Sequence, residues 1–168
     1  MCLFVICDNL TGVGEWNSCL DYIAEMKPSV ICFAPQRSNP LLTDKVQTWA
    51  QVVGSGKTFD KIVFQGHGNI QNVGGFNSSM LATMTNEVKK EKGTEVLLLS
   101  CSTADEEKQL LENSKGEVGF QAQNLVGNLH KQANVTVTGY TVPLPFDPRA
   151  PLQWNPAQGE KVTKVSKE

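Results

Sequence analysis

His67 and Cys101 are the two residues of this sequence whose types and positions suit catalysis. Each directly follows a short apolar segment, KIVFQG before His67 and EVLLLS before Cys101. A thiol is a good nucleophile only as the thiolate, and a neighbouring imidazole can take its proton or stabilise its charge. If the two segments are adjacent parallel strands, about 4.8 Å separates their ends. The spacing therefore predicts a cysteine–histidine catalytic pair.

The residues beside this pair are candidates for binding a substrate. Gly68 allows a sharp turn, and its N–H can approach a substrate oxygen with no side chain in the way. The N–H of Cys101 supplies a second donor, which predicts an oxyanion hole. The candidate groove residues are Asn69, Ser100, Ser102, Phe146 and Trp154. The last two lie in segment 143–156, which either walls a groove or packs against the sheet.

The other cysteines have a structural interpretation. Cysteine is among the most buried residue types, and a lone cysteine at a strand end is usually a packing residue. The chain has five cysteines, an odd number with no CxxC pair, which indicates reduced thiols and no zinc site. With two histidines, a histidine-rich metal site is not expected either. Core or helix positions are predicted for Cys2, Cys7, Cys19 and Cys32.

Alternating apolar and amphipathic segments indicate how the pair is positioned. Strands are predicted at 3–7, 29–34, 61–65, 95–100 and 135–139, and helices at 16–25, 78–91 and 120–129. A further helix is predicted to start at an N-cap Thr43 and to run to about Val53. A polar loop is expected over 105–119. Continuous apolar strands separated by helices predict a three-layer α/β/α sandwich with a mostly parallel sheet of about five to six strands.

Domain organisation and charge restrict the function further. We expect one α/β catalytic domain over 1–140 and a proline-rich segment with a loose tail over 141–168. The net charge of −2 argues against nucleic acid or an anionic membrane as partner. No apolar run approaches the roughly 20 residues of a membrane span, and no basic leader precedes the first strand. The expected location is the cytoplasm, with delivery as an effector left open, and the oligomeric state is not predicted.

A resemblance to a known family adds to this interpretation. FQGHGN and LLLSCST resemble the histidine and cysteine motifs of the caspase-like (clan CD) cysteine peptidases, most of all the cysteine protease domains of large bacterial toxins. The resemblance covers about Leu3 to Tyr140. It implies a caspase-like fold, with His67 as general base or acid, Cys101 as nucleophile and Gly68 with Cys101 as oxyanion donors. The toxin proteases bind an inositol phosphate on a basic patch, but no dense Lys/Arg cluster is present here and no cofactor is predicted.

The expected activity is that of a cysteine peptidase that forms an acyl-enzyme on a protein or peptide substrate. A catalytically inactive, flavodoxin-like binding or adaptor module is the main alternative. A thiol-dependent transferase or deamidase using the same pair is a third hypothesis. A third catalytic residue is not identified, since Asp8, Asn9 and Asn69 all lie near strand ends and the sequence does not choose among them.

Overall fold

The computed structural model describes residues 1–11, 13–39, 46–69, 71–100, 107–112, 118–123, 125–140 and 161–164. In chain order the elements are β1 (Cys2–Ile6), α1 (Val13–Met26), β2 (Val30–Phe33), α2 (Trp49–Gly54), β3 (Thr58–Gln65), α3 (Ser78–Glu87), β4 (Lys89–Leu99), β5 (Glu107–Glu112), β6 (Val118–Gln123), α4 (Leu125–Ala133), β7 (Thr136–Tyr140) and β8 (Lys161–Lys164).

The main sheet has the strand order β2-β1-β3-β4-β7-β8 in the part of the chain described. Its first five strands are parallel, and β8 pairs antiparallel with β7. Strands β5 and β6 form a separate antiparallel pair. The predicted α/β sandwich with a mostly parallel sheet is confirmed.

Helices cover both faces of this sheet, so the central strands are apolar on both sides. On one face Phe4 and Ile6 pack with Cys19 and Tyr22 of α1. On the other face, strand residues that include Leu3 and Val5 pack with the three remaining helices, represented by Trp49 and Val52 of α2, Leu81 and Met84 of α3, and Leu125 and Leu129 of α4. One helix on one face and three on the other is the arrangement that right-handed crossovers require for this strand order.

The strand order reverses at β1, which gives the sheet a switch point between β1 and β3. The chain leaves β1 toward α1 on one face, and it leaves β3 toward α3 on the other. A crevice opens where connections diverge in this way, beyond the carboxyl ends of the strands, and ligands of doubly wound proteins bind there. His67 follows β3 and therefore lies at this crevice.

Several predicted boundaries of helices and strands are wrong, because pairing with another strand decides where these elements begin and overrides the local sequence preference. Residues 120–123, predicted to begin a helix, belong to β6, whose register pairs Leu110 with Phe120. Much of the predicted polar loop is therefore a hairpin, and the helix begins at Leu125. Likewise β4 starts at Lys89, because its polar first half pairs with the start of β3 and shortens the predicted helix 78–91.

Two further differences concern α2 and the C-terminal segment. The N-cap of α2 is Thr48, whose hydroxyl accepts the N–H of Gln51, whereas the predicted cap Thr43 lies outside the described residues. Residues 161–164, expected in a loose tail, form the edge strand β8 instead. No helix in the described part of the chain is long and apolar enough to cross a membrane.

Candidate functional site

The carboxyl ends of β1 and β3 are joined by main-chain and side-chain hydrogen bonds. The N–H of Cys7 donates to the carbonyl of Gln65 over 2.8 Å. Beyond this bond, the N–H of His67, two residues after Gln65, donates to Oδ2 of Asp8, one residue after Cys7, over 2.7 Å. Asp8 is half-buried and His67 is exposed. The carboxylate of Asp8 therefore fixes the main chain of His67 at the switch point.

The end of β4 is joined to the end of β3 in a similar way. Leu99 is in register with Gln65, and the buried Oγ of Ser100 donates to the carbonyl of Gly66 over 2.7 Å. Ser100, a predicted groove residue, is only 1% exposed, and its hydroxyl is used in this bond. Its hydroxyl instead ties together the residues that precede His67 and Cys101.

The segment after β3, which we call the histidine loop (residues 66–69 and 71–76), folds back on itself as a small hairpin. Oδ1 of Asn69 accepts the N–H groups of Gln71 and Asn72 at 2.8 and 2.9 Å, and the Asn69 N–H donates to the Asn72 carbonyl at 3.0 Å. Gly68 pairs with Val73 across this turn. Asn69, a predicted groove residue, therefore lines the site while its side chain stabilises the loop.

Gly74 brings the histidine loop against the end of β1. Its φ is +56°, and a Cβ at this position would lie 2.7 Å from the carbonyl carbon of Cys7. Only glycine combines a left-handed conformation with so close an approach of two main chains. Because the N–H of Gly74 also donates to the carbonyl of His67, this contact holds the histidine from its other side.

Arg37, which follows β2, connects the loops that follow β1 and β3. Its Nε donates to the Cys7 carbonyl at 2.9 Å, and its Nη2 donates to the Gly74 carbonyl at 3.0 Å. The guanidinium carbon lies 4.8 Å from the centroid of the Phe76 ring. Sequence patterns did not single out Arg37, although its place three residues after the predicted strand 29–34 was a usable signal.

Replacing Arg37 tests this connection. Arg37→Lys is expected to lower the free energy of unfolding by about 1–3 kcal/mol, because one ammonium group cannot reproduce the planar fork that bonds both carbonyls. Urea unfolding followed by tryptophan fluorescence measures the change. Lys57→Met, at an exposed lysine, is the control and should stay within about 0.5 kcal/mol of the wild type. A loss for Arg37→Lys as small as that of the control would contradict the assigned role.

These loops enclose an open cleft of about 330 Å³, a volume suited to a small ligand or part of a larger one. Among the described residues that line it, the side chains are polar and none belongs to a lysine or arginine. The Gly68 N–H makes no hydrogen bond to another described residue. The lining residues are Asp8, His67, Gly68, Asn69, Asn72, Gly74 and Gly75.

Left-handed backbone conformations occur in the loops after β1, β2 and β3, the last of them at Gly74 and Gly75 of the cleft. Leu10 and Gln36 have φ values of +55° and +63°, in the loops after β1 and β2. Lys27 and Asn134 also have positive φ, but each follows the last residue of a helix, where this conformation is common. A non-glycine residue held in this region costs about 1–3 kcal/mol and often marks a functional site.

The described cysteines are poor nucleophiles. Burial raises the pKa of Cys19 and Cys32 to about 12, and the nearby charge of Asp8 adds to the effect at Cys19. Burial also raises the pKa of Cys7 well above its usual value and, to a smaller extent, that of Cys2. These four side chains are therefore neutral thiols near pH 7, and their predicted structural roles agree with the observed burial of three of them.

Four of the predicted site residues, Cys101, Ser102, Phe146 and Trp154, lie outside the described residues. His67, Gly68 and Asn69 are brought together in the cleft, whereas Ser100 lies beneath it. Asp8, named only as one of several polar groups, contacts the main chain of His67. Asn72 was not predicted. Among the described residues, no group of three or more histidine, cysteine or acidic side chains could hold a metal.

The fold and this cleft define a doubly wound α/β protein with a polar site at its switch point. Comparison with protein-family models, curated proteins and solved structures finds no match to the chain. Its function must therefore be inferred from the site itself.

Proposed function

We propose that this protein is a cysteine peptidase of the caspase-like kind, with Cys101 as nucleophile, His67 as general base and a peptide as substrate. The observation that carries the proposal is the 2.7 Å hydrogen bond from Ser100 Oγ to the Gly66 carbonyl. Ser100 and Gly66 directly precede the two proposed catalytic residues. Successive Cα atoms are only about 3.8 Å apart. Cys101 and His67 therefore each follow directly after one of two residues that are hydrogen-bonded to each other.

The proposed reaction proceeds through an acyl-enzyme. His67 takes the proton of the Cys101 thiol, and the thiolate attacks the peptide carbonyl carbon. The oxyanion that forms accepts hydrogen bonds from the N–H groups of Gly68 and Cys101. His67 then gives its proton to the amine that leaves as the C–N bond breaks. In the second half, His67 activates a water that hydrolyses the thioester and regenerates the thiol.

The environment of His67 and Gly68 supports these roles. Asp8 and Gly74 hold the main chain of His67 on both sides, so its ring starts from a fixed backbone at the cleft. The Gly68 N–H is uncommitted within the described structure, as an oxyanion donor must be. Free thiols at Cys2, Cys7, Cys19 and Cys32 fit the reducing, cytoplasmic setting that we include in the proposal.

One observation favours a second candidate, a flavodoxin-like binding or adaptor module. The parallel strands have the order β2-β1-β3-β4-β7, and flavodoxin-like proteins share this order and bind ligands between their first and third strands. Such a module needs no reactive thiol. The reactivity of Cys101 therefore separates the two candidates.

Alkylation of the five cysteines by iodoacetamide between pH 5 and 9, followed by peptide mass spectrometry, tests the proposal. Cys101 is expected to react at least tenfold faster than every other cysteine at pH 6, because an imidazole partner keeps part of it ionised. The other thiols should stay slow up to pH 8, because burial raises the pKa of each.

His67→Ala should remove this advantage, and His130→Ala is the matched control at the only other histidine of the chain. His130 bonds the Val135 carbonyl through Nδ1 and does not line the cleft. If Cys101 reacts no faster than Cys2, or equally fast without His67, the peptidase proposal fails and the binding module is favoured.

A further inference from the structure

Asn72 lines the cleft, and hydrogen bonds hold its main chain in place. Its N–H donates to Asn69 Oδ1 at 2.9 Å, and its carbonyl accepts the Asn69 N–H at 3.0 Å. These two bonds involve only the main chain of Asn72. Its side chain makes no hydrogen bond to any residue that the structure describes, although the residue lines the cleft.

Asn72 lies directly beside the proposed oxyanion donor. A Cβ placed on Gly68 would be 2.9 Å from the Asn72 carbonyl oxygen, so the two main chains are in close contact. The two residues that line the cleft here are therefore Gly68, with its N–H, and Asn72, whose carboxamide carries both a donor and an acceptor. A peptide group carries the same two functions, so an extended peptide can satisfy all of these groups at once.

The charges around the cleft argue against an acidic substrate group. Asp8 contributes a carboxylate to the lining, and none of the described residues that line the cleft is a lysine or arginine. Arg37 is nearby, but its Nε and Nη2 are directed to the Cys7 and Gly74 carbonyls. Gly74 and Gly75 leave part of the wall without side chains, which allows a close approach by another main chain.

We propose that Asn72 is a substrate-binding residue whose carboxamide hydrogen-bonds the main chain of an extended, non-acidic peptide. This inference rests on the proposed peptidase function and adds to it the class of group that the cleft recognises. It assigns to Asn72 the binding of substrate and no part in activating Cys101. The affinity for a peptide should therefore depend on Asn72, and the intrinsic reactivity of the thiol should not.

Two matched probes distinguish these effects. One is acetyl-Ala-Ala acyloxymethyl ketone, and the other is its analogue methylated on the amide nitrogen between the alanines. The Cys101 thiolate displaces the acyloxy group of either probe as a carboxylate and forms a thioether. In the wild type the unmethylated probe is expected to label Cys101 about tenfold faster, since methylation removes a main-chain donor.

Asn72→Ala should slow labelling by the unmethylated probe about tenfold and reduce the preference for it over the methylated probe to less than threefold. Asn72→Asp, which keeps the size but adds charge and removes the donor, should show the same loss. Asn86→Ala, at an exposed position of α3, is the control and should behave as the wild type. The turn bonds of Asn72 use its main chain, so its variants should keep the wild-type melting temperature.

Iodoacetamide alkylation of Cys101 in the same variants separates the two proposals. An unchanged iodoacetamide rate together with slower peptide labelling supports the inference. Peptide labelling that is as fast in Asn72→Ala as in the wild type overturns the inference alone. An equal loss of both rates also overturns it, because Asn72 would then act on the catalytic pair. A wild-type Cys101 that is inert to iodoacetamide overturns the peptidase proposal and the inference with it.

Discussion

Gly68→Ala is expected to lower the free energy of unfolding by about 2–3 kcal/mol and to abolish fast labelling of Cys101. The added Cβ would overlap the Oγ of Ser100 and lie 2.8 Å from its Cβ and 2.9 Å from the Asn72 carbonyl oxygen. Ser100 is buried and bonded to the Gly66 carbonyl, so it cannot move aside without losing that bond. Overpacking of this kind costs about 1–3 kcal/mol before the lost hydrogen bond is added.

Urea unfolding of a double-mutant cycle identifies the colliding residue. Ser100→Gly removes both of its colliding atoms, so Gly68→Ala combined with Ser100→Gly should be less destabilised than the sum of the single variants by about 1–2 kcal/mol. Gly54→Ala is the control, because a Cβ there meets no atom within 4 Å and alanine favours the helix. A Gly68→Ala protein as stable as Gly54→Ala would contradict the described contact between the ends of β3 and β4.

Gly74→Ala is expected to lower the free energy of unfolding by about 2–4 kcal/mol, which is the second large effect that we expect. Two costs add at this position. Alanine at a φ of +56° is strained by about 1–2 kcal/mol, and its Cβ would press against the main chain of Cys7, which β1 holds in place. The loop that carries His67 should move away from β1 as a result.

Gly75→Ala separates these two costs. Gly75 also has a positive φ, of +84°, but a Cβ there would meet only Nη2 of Arg37 at 3.5 Å, an ordinary contact. It should therefore cost about 1–2 kcal/mol, from backbone strain alone. Both variants are compared by urea unfolding and by the iodoacetamide rate of Cys101. Equal losses of stability in the two variants would mean that the contact between Gly74 and Cys7 contributes nothing.

The strands at the centre of the sheet were predictable because the apolar residues that they bury are consecutive in the sequence. LFVI, IVF and VLLL are continuous apolar runs, as strands covered on both faces must be. The polar beginnings of β3 and β4 were missed because their residues are mostly exposed and lie in strands only through mutual pairing. The β5–β6 pair was missed because each of its strands depends on pairing with the other.

The location of the site was predictable, but its supporting contacts were not. His67 and Gly68 follow an apolar run, and the rule that sites occur at the carboxyl ends of parallel strands is sufficient to select them. The bonds that hold them come from far along the chain: Arg37 to Gly74 spans 37 positions, and Asp8 to His67 spans 59. No local sequence pattern predicts these contacts, because they depend on the strand order and on the path of each loop.

The proposed function is tested most directly by covalent labelling with a panel of peptidyl acyloxymethyl ketones that differ in the P1 residue, with the adduct mapped by mass spectrometry. We expect one adduct, on Cys101, whose rate depends on the P1 residue and falls at least a hundredfold in His67→Ala. Slow labelling spread over several cysteines, independent of the P1 residue and unchanged in His67→Ala, would contradict it.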